Sequence, residues 1–150
     1  IQIKDLHDEI VCISKFEKAE NVPVQRSLLH KKLIDSVGGL EFTVVKTTHD
    51  IIRLGVQLNN CVGTYVEKVK EQKCAIVGVF ENSRPVACIE VNPTEDSDGF
   101  VEIHQAKLKN NRGVRDNHNI NYAVCQWVKK HKLQVPKYLG DIHFAKGGAM

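Results

Sequence analysis

Long apolar runs, paired cysteines and internal repeats are all absent from this sequence. Its uninterrupted apolar stretches are only a few residues long, whereas a membrane-spanning helix needs about 20, so we expect no membrane association. The cysteines stand singly, which argues against a disulfide framework and against a zinc finger, because both use closely spaced pairs. We therefore expect a reduced, cytoplasmic protein without a metal or another cofactor. The five cysteines are Cys12, Cys61, Cys74, Cys88 and Cys125.

What remains is the composition of an ordinary globular domain. Apolar residues make up 42% and charged residues 26% of the 150 positions, which is enough to bury a core in a single domain. The chain opens at Ile1 rather than at Met, so we expect it to be a piece of a longer protein. Cys74, Cys88 and Cys125 have apolar neighbours and are expected to be small buried hydrophobic residues.

The net charge of +3 hides an uneven distribution along the chain. Residues 1–102 carry 12 Lys and Arg against 16 Asp and Glu, a net charge of −4. Residues 103–150 carry 9 against 2, a net charge of +7. This split indicates an anionic partner for the C-terminal third, such as nucleic acid. The alternative is that these lysines only solvate one helix and a loop.

The first part of the chain is predicted to be mostly helical. Apolar residues recur at helical spacing over residues 3–17 and again over residues 23–37, where a proline precedes them and a glycine pair follows. The β-branched and aromatic run at residues 40–46 predicts a strand. We therefore predict an N-terminal helical region over residues 1–39 and an α+β domain over residues 40–150, packed as one compact domain.

Two more helices are predicted before the centre of the chain. In the first, Thr48 or Asp50 caps an apolar stripe that ends at Leu58. In the second, over residues 64–73, valines form the buried face and Lys68 points to water.

Three strand-like runs follow at residues 74–81, 86–92 and 100–108. The connections between them are short and rich in turn-forming residues, which predicts an antiparallel meander. A basic loop comes next, and Asp116 or Asn117 then caps a final helix. The expected fold class is α+β, with N-terminal helices, an antiparallel three- to four-stranded meander sheet and a C-terminal helix.

The register of the last two predicted strands decides which polar residues meet. A pairing that keeps one face apolar places Glu90 opposite Glu102 and Cys88 opposite His104. Two opposed carboxylates repel each other, so something must offset their charge. Two carboxylates beside a histidine form an acid/base or metal-binding group in one interpretation, and a solvated outer face in the other.

Cys61 raises a similar choice because it lies where a helix begins, in "LNNCVGTYVEKVKEQK". A thiol at a helix start is activated by the exposed backbone N–H groups, and His104 would be its base. In the alternative, Cys61 is a small core residue packed under the sheet.

The stretch "HQAKLKNNRG" places amides and cations directly after a strand. Gln105, Asn110 and Arg112 can contact phosphate groups or base edges, assisted by backbone N–H groups near Gly113. The same residue types also suit an ordinary turn.

Three segments, "NNCVGTYVEKV", "CIEVN" and "IHQAKLKNN", in this order and spacing, resemble the PcfJ-like family, whose members are found in conjugative plasmids, phages and related mobile elements. The resemblance covers residues 50–132 and implies a setting beside DNA-processing proteins. Two positions depart from the family pattern, since Asn60 stands where the family has His and Cys88 where it has Thr. The signature implied by the resemblance is Leu58, Cys61, Gly63, Tyr65, Glu90, Gln105 and Asn110.

The leading hypothesis is that the domain binds nucleic acid or a nucleoprotein partner. Its basic C-terminal third would contact phosphates, and the polar signature residues would form a specific pocket. The residues assigned to ligand binding are Tyr65, Gln105, Asn110, Lys107, Lys109, Arg112 and Arg115, with Lys129 and Lys130 adding charge.

Two alternatives belong to other functional classes. One is a metal-independent nuclease or another hydrolytic or transfer enzyme, with Glu90 as the base, His104 as the acid and Cys61 as a further candidate catalytic residue. Arg112 or Lys107 would then stabilise the charge that develops on phosphate. The other alternative is a structural interaction domain without a catalytic site.

Overall fold

The structure is a computed structural model of the chain. The predicted helix at 3–17 and most of the one at 23–37 lie outside the residues that it describes. The division into regions 1–39 and 40–150 stays a prediction. The described residues are 21, 23, 32–60, 66–71, 73–94 and 100–144.

In the described part of the chain, five antiparallel strands form one sheet, and their order in the sheet follows their order in the chain. Short connections join most neighbouring strands, which favours local antiparallel pairing. The α+β class is confirmed, although the predicted three to four strands fall short of the five observed. The strands are β1 (Asp35–Val37), β2 (Leu40–Val44), β3 (Ala75–Glu81), β4 (Arg84–Pro93) and β5 (Phe100–Leu108).

Strand β1 occupies a segment whose sequence predicts the end of a helix. Gly38 and Gly39 have φ angles of +59° and +80°, a conformation that costs glycine little, so the chain reverses directly after Val37. Asp35 then lies opposite Phe42 of β2 in antiparallel register. The helix prediction is wrong over this segment because the hairpin with β2 pairs its backbone groups instead.

The α-helices of the described residues are α1 (Thr48–Leu58), α2 (Val66–Lys70) and α3 (His118–Lys130). Thr47, rather than Thr48 or Asp50, caps α1, because its Oγ1 accepts a hydrogen bond from the Asp50 N–H at 3.1 Å. The predicted cap of α3 by Asn117 is confirmed, since its Oδ1 accepts the Ile120 N–H at 3.1 Å. Within the part of the chain that the structure covers, no helix has the length and apolarity to cross a membrane.

Helix α3 covers one face of the sheet. The fully buried Trp127 stacks on Phe42 of β2, with ring centroids 4.8 Å apart, and its Nε1 donates a hydrogen bond to the Leu33 carbonyl at 3.0 Å. A stacked aromatic pair with a satisfied indole N–H fixes the helix against the sheet. Val124 and Val128 lie on the same buried side of α3, as the sequence predicts.

Helices α1 and α2 cover the opposite face of the sheet. Alternation along β3 and β4 sends Ile76 and Cys88 to this side, while Val77 and Ile89 face α3. The sheet is therefore buried on both faces, and each face has a core of its own. The buried members on the α1 side are Val45, Ile51, Leu54, Leu58, Val69, Cys74, Ile76 and Cys88.

The free edge of β5 is covered by the chain that returns after α3. Two short 3₁₀ turns within residues 109–116 link β5 to α3. Beyond α3, the Ile103 N–H donates to the Gln134 carbonyl at 2.8 Å, and the Ala106 N–H donates to the Asp141 carboxylate at 3.0 Å. These contacts satisfy edge groups that would otherwise be open to another strand.

Candidate functional site

The register of β4 with β5 differs from the one that alternation of apolar residues predicts. Glu90 lies opposite Gln105, so the predicted pair of Glu90 with Glu102 is wrong. Cys88 lies opposite a lysine, so its predicted pairing with His104 is wrong as well.

Phe100 lies opposite Pro93 rather than Asn92, and two irregularities in β5, after Phe100 and after Ile103, shift the register further. Ile103 pairs with Val91, but the next residue of β5 to pair is Gln105, so His104 is an extra residue at a bulge. Both Ile103 and Ala106 are buried on the α3 side, although residues three apart face opposite sides of a regular strand. The bulge thereby keeps Ala106 in the core and turns Gln105 towards α1 and α2.

Glu90 is a buried carboxylate on the α1 and α2 side, with only 1% of its surface exposed. Its Oε1 accepts a hydrogen bond from Gln105 Nε2 at 2.9 Å, and its Oε2 accepts one from Lys68 Nζ at 3.0 Å. Because a buried charge is costly unless it is paired and hydrogen-bonded, these two partners are what make its burial tolerable. One polar side chain each from β4, β5 and α2 thus meets in this cluster, which we call the Glu90 cluster.

The sequence predicts that Lys68 points into water, and this prediction is wrong, because its ammonium group contacts Glu90. Its side chain is 40% exposed, while its ammonium group is bound to Glu90. Lysine can do both because its long apolar stem packs along the protein and its charged end reaches a partner. Val69 is buried and Val66 packs beside it, so the five-residue helix α2 is held by an ion pair and by apolar contacts.

Two cysteine thiols lie beside the Glu90 cluster. Burial is the main cause that raises the pKa of Cys74 and of Cys88 to about 12, and the negative charge of Glu90 acts in the same direction. A hydrogen bond from Asn60 Nδ2 to Cys88 Sγ at 3.3 Å opposes this shift only in part. Both thiols are therefore protonated at neutral pH. The prediction that Cys74 and Cys88 are buried is confirmed, whereas Cys125, predicted to be buried as well, is half-buried.

Among the described residues, no three His, Cys, Asp or Glu side chains form a group that could hold a metal ion.

A second polar contact ties the turn after β5 to the end of α1. Asn59 Nδ2 donates a hydrogen bond to Asn110 Oδ1 at 2.8 Å, although 51 positions separate the two residues in sequence. Asn59 and Asn110 have φ angles of +50° and +63°, a left-handed conformation in which asparagine is common. Asparagine at both positions therefore suits the backbone as well as the contact.

Asp141 is an anchor that sequence reasoning missed. Its carboxylate accepts the Ala106 N–H at 3.0 Å and pairs with Lys107 Nζ at 2.8 Å, and its carbonyl accepts the Arg115 N–H at 2.8 Å. It thereby joins the edge of β5 to the 3₁₀ turns. Lys107, predicted to contact a ligand, has its ammonium group on this carboxylate. One feature of the sequence could have pointed to it, because Asp141 is the only acidic residue after Asp116, in a stretch rich in lysine.

The structure brings some of the predicted site residues together and separates others. Glu90 and Gln105 are in direct contact, and Asn110 lies just beyond the end of the same strand. His104 is exposed at the bulge, and no hydrogen bond within the described residues joins it to Glu90. The acid and base roles of these two residues stay predictions. Outside the described residues lie Cys61, Gly63 and Tyr65.

Five of the exposed basic residues of the C-terminal third lie in two groups. Lys109, Arg112 and Arg115 lie on the turns after β5, and Lys129 and Lys130 lie on the last turn of α3. Helix α3 has 13 residues and leads away from the turns, so about 20 Å separates its two ends. A ligand that contacts both groups must therefore be extended.

These features define a small α+β domain with a buried charged cluster on the α1 and α2 side of its sheet. The family model described as PcfJ-like protein matches residues 2–121, and the chain belongs to this family. The match reaches further towards the N-terminus than the motifs at residues 50–132. No curated protein and no solved structure matches the chain.

Proposed function

We propose that this domain binds nucleic acid through a basic surface formed by the turns after β5 and the exposed side of α3. The observation that carries the proposal is the absence of acidic residues over a long stretch. From Asn117 to Gly140 the chain contains four lysines and no Asp or Glu. A surface with an excess of positive charge attracts a polyanion, and binding is favoured by the release of the counterions condensed on the polyanion.

Few of these cations are neutralised within the domain. Arg112 pairs with Asp116 at 3.2 Å and Lys130 with Asp35 at 2.8 Å, and the cation of each pair is well exposed. Exposed pairs contribute only about 0–1 kcal/mol, so a phosphate group can replace the carboxylate at little cost. In the described part of the chain, the other exposed cations after β5 pair with no carboxylate, and these are Lys109, Arg115, Lys129, Lys132 and Lys137.

The exposed side of α3 offers suitable groups between the two basic ends. His118, Tyr122 and Gln126 are spaced four residues apart and form one stripe, and Tyr122 is 60% exposed. Such side chains donate hydrogen bonds to phosphates and bases or stack on bases. Because Trp127 fixes the opposite side of α3 to the sheet, the helix does not have to be ordered when the ligand binds.

In this proposal Glu90, Gln105 and Asn110 help to hold the basic turns in place. The contact of Gln105 with Glu90 holds the second half of β5, and the contact of Asn59 with Asn110 holds the turn that follows. Both contacts keep the basic turns in a fixed position relative to α3. A nucleoprotein partner would meet the same surface through its nucleic acid.

Fluorescence anisotropy with labelled single- and double-stranded DNA and RNA oligonucleotides tests this proposal in a salt series. Arg115→Glu and Lys129→Glu change one cation at each basic end, and each should weaken binding across all sequences. Each should also lower the slope of log affinity against log salt by about 1, the value expected for one lost phosphate contact.

Lys73→Glu is the matched control, because Lys73 is exposed on the α2 side of the sheet, near its ion-pair partner Glu71. Its affinity and salt slope should equal those of the unchanged protein. The proposal is overturned if no oligonucleotide binds, or if the two substitutions on the basic surface affect binding no more than the control.

A further inference from the structure

A cavity of about 440 Å³ opens between α1 and the neighbouring strands, and no residue of the Glu90 cluster lines it. Arg53 and Gln57 line it from α1, and Thr43 and Phe80 line it from β2 and β3. Its volume lies within the range of small-molecule sites, roughly 300–1,000 Å³. Neither the basic surface on α3 nor the polar signature includes these residues, so the cavity needs an explanation of its own.

Phe80 forms an aromatic wall of this cavity. Its side chain is only partly buried and belongs to neither of the two hydrophobic cores. Gly78 lets the ring lie close to the sheet, because a Cβ atom at that position would be 2.7 Å from Phe80 Cε2. An aromatic ring that is supported by the strand backbone and borders a cavity is a platform on which another flat ring can stack.

Cationic groups line the cavity along α1 and beyond the end of β2. Lys46 follows β2, and Arg53 projects from α1. Asp50 is the one carboxylate among the described lining residues, and its Oδ1 lies 3.6 Å from Arg53 Nη1. Among the described lining residues, two cations against one carboxylate leave a positive balance, and the amide of Gln57 and the hydroxyl of Ser83 add hydrogen-bonding groups.

We infer that this cavity binds a nucleotide, with its base stacked on Phe80 and its phosphate groups towards Arg53 and Lys46. A nucleotide joins a flat ring to an anionic group, which are the two features for which the cavity provides contacts. The helix rises about 10 Å from Asp50 to Gln57, enough to hold a base, a sugar and a phosphate in a row. Free nucleotides and the end of a nucleic-acid strand share this chemistry.

Isothermal titration calorimetry with ADP, adenosine and inorganic pyrophosphate separates the two halves of the site. ADP should bind at least tenfold more tightly than either fragment, because only ADP reaches both the ring and the cations. Phe80→Leu should weaken ADP binding about tenfold, as expected for a lost stacking contact, and leave pyrophosphate binding unchanged. Lys46→Gln should weaken the binding of ADP and pyrophosphate and leave that of adenosine unchanged.

Gln57→Glu provides a variant that does not disturb the core, since Gln57 is exposed on α1. Its added negative charge should weaken ADP binding several-fold. Tyr138→Leu removes an aromatic ring that is 91% exposed elsewhere, and Arg115→Gln removes a cation of the basic surface. Neither of these controls should change the affinity for ADP. Phe80→Leu should not change oligonucleotide binding at the basic surface. The proposal for the cavity and the proposal for the basic surface are therefore tested independently.

A competition experiment with a deoxyadenosine hexamer identifies the source of the ligand. Displacement of ADP by the hexamer assigns the cavity to the end of a strand, and the absence of displacement assigns it to a free nucleotide. The inference is overturned if ADP does not bind at millimolar concentration, or if Phe80→Leu and Gln57→Glu both leave its affinity unchanged.

Discussion

Lys68→Met is the substitution that tests the Glu90 cluster most directly. Methionine keeps the unbranched stem and a similar helix propensity, so the change removes the ammonium group and little else. Glu90 then stays 1% exposed with the Gln105 amide as its remaining partner, because the 3.0 Å contact to Lys68 is lost.

The size of the effect follows from the burial of the two partners. Breaking a fully buried ion pair costs about 3–5 kcal/mol, whereas an exposed pair contributes about 0–1 kcal/mol. This pair is intermediate, because Glu90 is buried while the side chain of Lys68 is 40% exposed and water can reach its end of the contact. We therefore expect Lys68→Met to lower the free energy of unfolding by about 2 kcal/mol. A typical domain has about 5–15 kcal/mol in total, so the variant should still fold.

Urea unfolding followed by the fluorescence of Trp127, the only tryptophan of the chain and a buried one, measures this difference. Lys70→Met is the matched control on the same helix, because Lys70 lies 3.5 Å from the exposed Glu67, and it should cost less than about 0.5 kcal/mol. In a double-mutant cycle with Glu90→Gln, the coupling energy between positions 68 and 90 should be about 1–2 kcal/mol. Equal effects of Lys68→Met and Lys70→Met, or a coupling energy near zero, would refute the ion pair.

The same Glu90→Gln variant separates a supporting role from a catalytic one. If Glu90 supports the fold, the variant loses stability and binds oligonucleotides normally at temperatures where it is folded. If Glu90 is instead a general base, the cleavage of an oligonucleotide by the unchanged protein should disappear in the variant, while affinity is kept or increased.

Two further predictions concern the C-terminal end of α3 and the 3₁₀ turn that precedes this helix. The hydrogen bond from Lys130, and next the one from His131, holds the pKa of Asp35 at about 2, below its ordinary 3.8. Asp35→Asn should therefore lower the free energy of unfolding by about 1 kcal/mol at pH 7. This difference should fade between pH 3.8 and 2, as Asp35 is protonated. Urea unfolding of both proteins from pH 7 to pH 2 checks this, and a cost that is independent of pH would contradict it. Gly113→Ala should destabilise the domain by about 1–2 kcal/mol, because its Cβ would lie 3.0 Å from the Cα of Asp141, which three hydrogen bonds hold in place. Thermal unfolding against Gly140→Ala, whose Cβ meets nothing within 4 Å, checks this, and equal midpoints would contradict it.

Local patterns in the sequence were enough to predict most of the central fold. The bounds of β5 agree with the predicted run at residues 100–108, and the apolar stripe that ends at Leu58 predicts α1. These elements depend on residues close in sequence, so periodicity and turn formers reveal them. Strand β1 is different, because its three residues are held by pairing with β2 and by the ion pair of Asp35 with Lys130, almost a hundred positions away. No local pattern contains that information.

The candidate site shows the same division between local and long-range information. The polar character of Glu90, Gln105 and Asn110 can be read from the sequence, but their partners Lys68 and Asn59 cannot. A lysine on a short helix fits a solvated face equally well, and only the position of α2 over the sheet brings it to a buried carboxylate. The partner of a buried charge is set by tertiary packing rather than by its own surroundings in sequence.

The register of β4 and β5 could have been questioned on physical grounds from the sequence alone. A regular pairing sets Glu90 against Glu102, and such a pair of like charges is destabilising. In the observed register Glu90 lies opposite Gln105, from whose amide it accepts a hydrogen bond, and Glu102 lies opposite Asn92. Two irregularities in β5 contribute to this register, and the extra residue His104 at the second one lets Ile103 and Ala106 both stay in the core. Repulsion between two opposed carboxylates was thus an argument for an irregular strand, because the shifted register separates Glu90 from Glu102 and leaves Glu90 in contact with Gln105 and Lys68.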